Sequence, residues 1–283
     1  MTGSGADSAA GRRRFLPAFP RLWRRAAVVG SVAAAYDAAH GGGRAGTRPI
    51  GREDEQRVLR EWEVLRDRLT SLARARLADV GDLLSDARLE LPGGAESAVR
   101  REYDAALEAF QAAGKILDEA VDLPDLTASV VLADRAAELF AAAHARHEGR
   151  RPPKRVVRCF YNPLHGRAEL PTDRATHGKR GKGGKGAKGG GRVRVSPREA
   201  AADRRPACSS CRLAILADQA PDVLPALFTV KVSKHRSAKV FVPYYALPQQ
   251  MSLWSATGCG AYDDEAPARV LRGEHRRRAE GAR

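Results

Sequence analysis

The chain has 283 residues, 43% hydrophobic and only 6% aromatic, with a net charge of +15. That length holds one large domain or two small ones, and four cysteines in 283 residues are too few for a disulfide-stapled scaffold. Residues 51–148 hold 13 basic and 21 acidic residues, a net of −8, which leaves +23 for the flanks; that surplus points to an anionic partner, nucleic acid or a lipid surface, with charge balance inside the chain as the plain alternative.

Residues 1–49 are rich in Gly, Ser, Arg and Ala and are expected to form a disordered basic arm. Arg12-Arg13-Arg14-Phe15-Leu16 resembles a twin-arginine export signal. Pro17, Pro20, Arg21, Arg24 and Arg25 interrupt the apolar stretch such a signal needs. The run from Ala26 to Tyr36 suits a signal core but falls far short of the ~20 residues that span a bilayer. The expected location is cytoplasmic, with twin-arginine export or membrane-peripheral attachment as alternatives, and no transmembrane segment is expected.

Residues 50–148 read as an antiparallel helical bundle. Val58, Trp62, Leu65, Leu69 and Leu72 recur at helical spacing, and after a one-residue slip so do Ala73, Leu77, Val80, Leu84 and Ala87. Leu91-Pro92-Gly93-Gly94 ends this helix. A second stripe is Val99, Tyr103, Ala106, Phe110, Ala113, Leu117 and Ala120; a third is Leu126, Val130, Ala133, Ala137, Phe140, His144 and His147. Between them, Pro124 breaks the helix and Asp125 is the expected N-cap of the next. Each helix shows one stripe, so none is stable alone, and short connections make neighbours antiparallel. Phe110 and Phe140 are expected to face each other's helices. His144 and His147, one turn apart, raise a second metal site against the plainer reading of a frayed helix end.

Residues 149–278 read as a Cys/His module with a β-hairpin, interrupted by a disordered basic Gly/Lys loop at about 167–192. Pro152 and Pro153 stiffen a basic linker, and Val156-Val157 suggests a short strand. Residues 167–205 carry 12 Lys/Arg against 4 acids. Their Gly/Lys core, 178–191, cannot bury apolar surface and is expected to stay disordered. It is no phosphate-binding loop, because no Ser or Thr follows a lysine. Lys179, Arg180, Lys182, Lys185, Lys188, Arg192 and Arg194 are the candidate polyanion-binding residues, with no aromatic among them for bases to stack on. Further on, Phe228–Val232 and Lys239–Tyr245 read as a hairpin joined by Lys234–Ala238. Leu253–Tyr262 reads as a glycine-bearing turn with an aromatic anchor, and Asp263 or Asp264 as the cap of a last helix.

The chemistry-bearing residues sit in two short pieces, Cys159-Phe-Tyr-Asn-Pro-Leu-His165-Gly166 and Cys208-Ser-Ser-Cys211. Three thiols and one imidazole are a complete tetrahedral ligand set for structural zinc, with no position left open for catalysis. Ordinary buried thiols and an oxidised or redox-active Cys-x2-Cys pair are the alternatives. Cys159 as a nucleophile with His165 as base lacks an orienting acid nearby in sequence. Cys259 reads as a small buried residue.

The motifs Cys159-Phe-Tyr-Asn-Pro-Leu-His165-Gly166, Cys208-x2-Cys211, Val242-Pro-Tyr-Tyr-Ala-Leu-Pro248 and Ser252-Leu-Trp-Ser-Ala-Thr-Gly258, with the tail Arg269-Val-Leu-Arg272-Gly-Glu-His275, resemble an uncharacterised protein family of high-GC bacteria. The resemblance covers residues 55–278 and implies one architecture, an alanine-rich helical region before the Cys/His module; it implies no reaction. The sequence therefore predicts a mainly α fold with a small α/β part: an antiparallel three-helix bundle or coiled-coil hairpin, then a zinc-ribbon-like module. The expected role is a non-enzymatic scaffold that meets a protein partner through its helices. Non-specific nucleic-acid binding, or an exported protein with oxidised cysteines, are the alternatives.

Overall fold

The computed structural model describes residues 50–86, 97–168, 205–217, 219 and 221–276. The N-terminal arm and the seven candidate polyanion-binding residues lie outside these. The fold is mainly α with one two-stranded antiparallel sheet.

Helix α1 spans Arg52–Asp86. Its start is held by Gly51 N–H donating to Asp54 Oδ2 at 3.1 Å, and Glu53, Asp54 and Glu55 complement the positive end of the helix dipole. Val58, Leu69, Ala73 and Val80 are buried along the predicted stripe. Helix α2, Ala98–Glu119, starts where Ser97 accepts the N–H of Arg100. Helix α3 spans Leu123–His147. Its N-cap is Asp122 rather than Asp125. Pro124 has no N–H to offer and fits the first turn, where none is needed. Asp125 therefore falls at the third helical position, and its carboxylate reaches back to the N–H groups of Asp122 (2.9 Å) and Val121 (3.0 Å).

The three helices run up, down, up. The ring of Tyr103, early in α2, lies 5.9 Å from that of Phe140, late in α3, and Ser129 Oγ of α3 donates to the carbonyl of Ala113 at 2.8 Å. Trp62 and Arg76 of α1 meet Asp122 and Asp134 along α3 in parallel order. Phe140 is buried against α2 as expected, but Phe110 is only half-buried and points to Gly81 of α1. The single-stripe reading of α2 and α3 also needs correction. Ala109, Ala112 and Ile116 form a second buried row on α2, and residues 126–133 of α3 are buried on every side. A helix that is apolar all round is an enclosed one, and the C-terminal segment supplies the enclosure.

That segment contains α4 (Ser209–Leu216), β1 (Pro225–Ser233), β2 (Arg236–Pro243), α5 (Leu253–Thr257) and α6 (Ala266–Leu271). The hairpin turn is only Lys234–His235, tighter than the expected Lys234–Ala238 loop, because Arg236–Ala238 already pair with β1. A bulge near Val232 absorbs the offset. Pro225 faces Pro243 at the open end, where missing N–H groups cost nothing. The expected strand at Val156-Val157 reduces to an isolated bridge between Arg158 and Arg167. Glu265, not Asp263 or Asp264, caps α6. The expected anchoring turn at Leu253 is the five-residue α5, closed by Gly258 in the left-handed region.

The hairpin lies against α1 and α3: Lys239 N–H donates to Glu55 (2.9 Å) and Leu227 N–H to Asp122 (2.8 Å). Helix α6 packs on α2. The largest core cluster accordingly combines Val80, Ile116 and Leu132 from the helices with Val230, Val242, Trp254 and Val270 from beyond residue 148.

Candidate metal centre

Two arms and one short helix build the site. Asn162 Oδ1 accepts the N–H of Leu164 at 3.1 Å, and Pro163 starts a 3-10 turn over Pro163–His165. This turn folds His165 back over Cys159. Ala168 N–H donates to the carbonyl of Val157 at 2.7 Å and closes the first arm on itself, and the second arm runs alongside, with Phe160 N–H donating to the carbonyl of Pro206 at 2.8 Å. Cys208 is the N-cap of α4 and Cys211 lies in its first turn, so their thiols emerge on the same side.

The structure brings together all four predicted ligands. The ligand atoms of Cys159, His165, Cys208 and Cys211 lie within 4.8 Å of one another, a group that can hold a metal ion. His165 Nδ1 is 3.3 Å from Cys211 Sγ and 3.5 Å from Cys208 Sγ. The three cysteines are at most 5% exposed, and all four cysteines of the chain are free thiols. Without an ion, burial works against the imidazolium of His165, but the Asp222 carboxylate and the sulfurs prevail and raise its pKa to about 11. Hydrogen bonds from Cys159 and Cys211 lower the Cys208 thiol, whereas Cys211, bonded to Cys159 and Cys208 in turn, is raised. A bound cation would favour the thiolate form of its sulfur ligands.

Three neighbours carry no sequence signal. Asp222 Oδ2 lies 3.0 Å from His165 Nε2. It sits 11 residues past Cys211, with nothing in the spacing to link it to the ring. Ser210 Oγ lies 3.2 Å from Cys208 Sγ. Phe160, ringed by Tyr161, Tyr244, Tyr245 and Tyr262, is overlaid by the Arg205 guanidinium at 4.3 Å. Tyr244 donates its hydroxyl to the carbonyl of Phe160 at 2.5 Å, tying this arm to the end of the hairpin. The hairpin itself supplies no ligand.

Cys259 stays apart: it is fully buried in the main core, at φ 54° between Gly258 and Gly260. His144 pairs with Glu148 at 3.2 Å and His147 is exposed, and among the described residues neither joins a metal-ligating group. Among the described residues no helix is long and apolar enough to cross a membrane. No protein-family model, curated protein or solved structure matches the chain, so the family resemblance rests on its motifs alone.

Proposed function

We propose that this chain is a non-enzymatic interaction scaffold whose Cys/His segments are locked to a helical core by one structural zinc ion. The convergence of three sulfurs on one imidazole nitrogen carries the reading. Zinc–sulfur bonds near 2.3 Å and zinc–nitrogen bonds near 2.1 Å give a tetrahedral S···N edge of about 3.6 Å. The separations of 3.3 and 3.5 Å fall close to that edge. A nucleophilic cysteine needs access to substrate, and these thiols are buried. Four protein ligands also complete the tetrahedron, which favours a structural ion over a catalytic one. Free thiols fit a reducing compartment, so we assign the chain to the cytoplasm. The long helices are the surface we assign to a protein partner, and the basic arms supply a weak pull toward polyanions or lipid headgroups.

Native mass spectrometry and metal analysis of the purified chain test the reading. The expected result is one zinc per chain, lost when any of Cys159, His165, Cys208 or Cys211 is replaced by Ala. A metal-free chain that tolerates all four replacements without loss of stability refutes it.

A further inference from the structure

Resting on the zinc reading above, we propose that Asp222 is a positioning residue of the centre, whose carboxylate fixes the tautomer and ring angle with which His165 meets the ion. Either imidazole nitrogen can bind a metal, and the hydrogen bond made by the other decides which one does. In His165 the division is clear: Nε2 faces Asp222 Oδ2 at 3.0 Å, while Nδ1 faces the sulfurs at 3.3 and 3.5 Å. With Nε2–H donated to the carboxylate, the lone pair of Nδ1 points at the cation.

Asp222 is itself held between the first ligand arm and the end of the hairpin. Two residues on, Leu224 donates its N–H to the carbonyl of Tyr161 at 3.0 Å and accepts that of Tyr244 at 3.0 Å. These bonds fix the entry to β1, so the hairpin, which contributes no ligand, still sets the angle of one. The backbone carbonyl of Asp222 also lies 3.7 Å from Cys211 Sγ, so the residue touches the cluster twice. Its side chain is 40% exposed, and an ion pair that open to water contributes little to folding. Its loss is therefore expected to appear in metal retention rather than in the stability of the metal-free chain.

The test uses the full chain loaded with one zinc, and Asp222→Ala and Asp222→Asn variants. Zinc transfer to a chromogenic chelator measures affinity, and proton–nitrogen NMR of the imidazole follows the Nε2–H. Asp222→Ala is expected to bind zinc 10- to 100-fold more weakly, to lose the slowly exchanging Nε2–H signal, and to keep the metal-free melting temperature. Asp222→Asn, whose amide oxygen still accepts that hydrogen, is expected to recover most of both. Undiminished affinity in Asp222→Ala, with one zinc on the parent chain, overturns the role of Asp222 alone. A metal-free melting temperature that falls in step with affinity makes the residue merely structural and overturns it too. A parent chain that takes up no zinc overturns the centre itself, and this proposal with it.

Discussion

Asp122 places a carboxylate where three elements meet. It caps α3, accepts the indole N–H of Trp62 from α1 at 2.8 Å and the N–H of Leu227 from β1 at 2.8 Å. Burial raises its pKa from 3.8 to about 6, against the pull of these donors. The folded chain therefore binds this proton more tightly than the unfolded chain, so protonation favours folding. Asp122 is expected to cost stability above pH 6 and to recover it as the pH falls from about 6 to below 4. The shift corresponds to at most about 3 kcal/mol. Urea unfolding of the parent and of Asp122→Asn at pH 4 and 7.5 isolates the effect, because all other groups titrate alike in both; the parent should gain on the variant at the lower pH. A difference that stays flat with pH would show that the carboxylate is not held in a desolvated site. Neither Asp122 nor Asp222 was legible as a site residue, for one reason. A carboxylate takes its meaning from the donors that folding brings to it, and those come from 60 and 57 residues away. The four candidate metal ligands were legible because thiols and imidazoles are scarce and fall in two short segments.

Among the elements, the helices were legible because an apolar residue at every third or fourth position, sustained over several turns, matches the helical repeat and not the alternation of a strand. What periodicity missed is the second buried row on α2 and the enclosure of α3. Small alanines mark these faces only weakly, and the covering elements lie more than a hundred residues away. Phe140 is 4% exposed and packs on Tyr103; Phe140→Ala is expected to cost about 3–5 kcal/mol in urea unfolding. Phe110→Ala should cost less, since its ring is half-buried, and Glu63→Gln on the exposed face of α1 should stay within about 0.5 kcal/mol. Equal losses at all three positions would mean the stripes do not face a core. Two glycines should diverge. A methyl group at Gly114, inside α2, meets nothing within 4 Å; Gly114→Ala is expected to stabilise by about 0.5–1 kcal/mol. At Gly258 the backbone is left-handed, φ 60°, and a methyl group would run into the ring of Tyr262. Gly258→Ala should lower the melting temperature.

For the molecule as a whole, the cluster of Cys159, Tyr161, Ala168, Ala207, Cys208 and Cys211 is separate from the main core, whereas the hairpin belongs to that core. If the cluster holds zinc as proposed, chelation is accordingly expected to release the amide hydrogens of residues 157–168 and 205–217 to fast exchange. Those of α2, α3 and the hairpin should stay protected. Hydrogen exchange before and after chelation checks this, and loss of protection throughout would make the ion a condition for the whole fold. The sequence shows a clear break in composition and charge at residue 148. The packing of α6 on α2 and of the hairpin on α1 and α3 leaves no trace in it, because contacts between distant segments impose no local periodicity.

The ligands divide two and two around the 42 residues between His165 and Cys208. Cutting the chain within residues 169–204 would leave one fragment holding Cys159 and His165 and another holding Cys208 and Cys211. Neither fragment owns all four candidate ligands, and the main core is shared between them as well. Under the proposed zinc centre, the two pieces are therefore expected to behave as a split protein that reassociates with zinc as the coupling agent. Mixing separately purified fragments with and without zinc, and following association by sedimentation, would reveal a metal-gated reassembly.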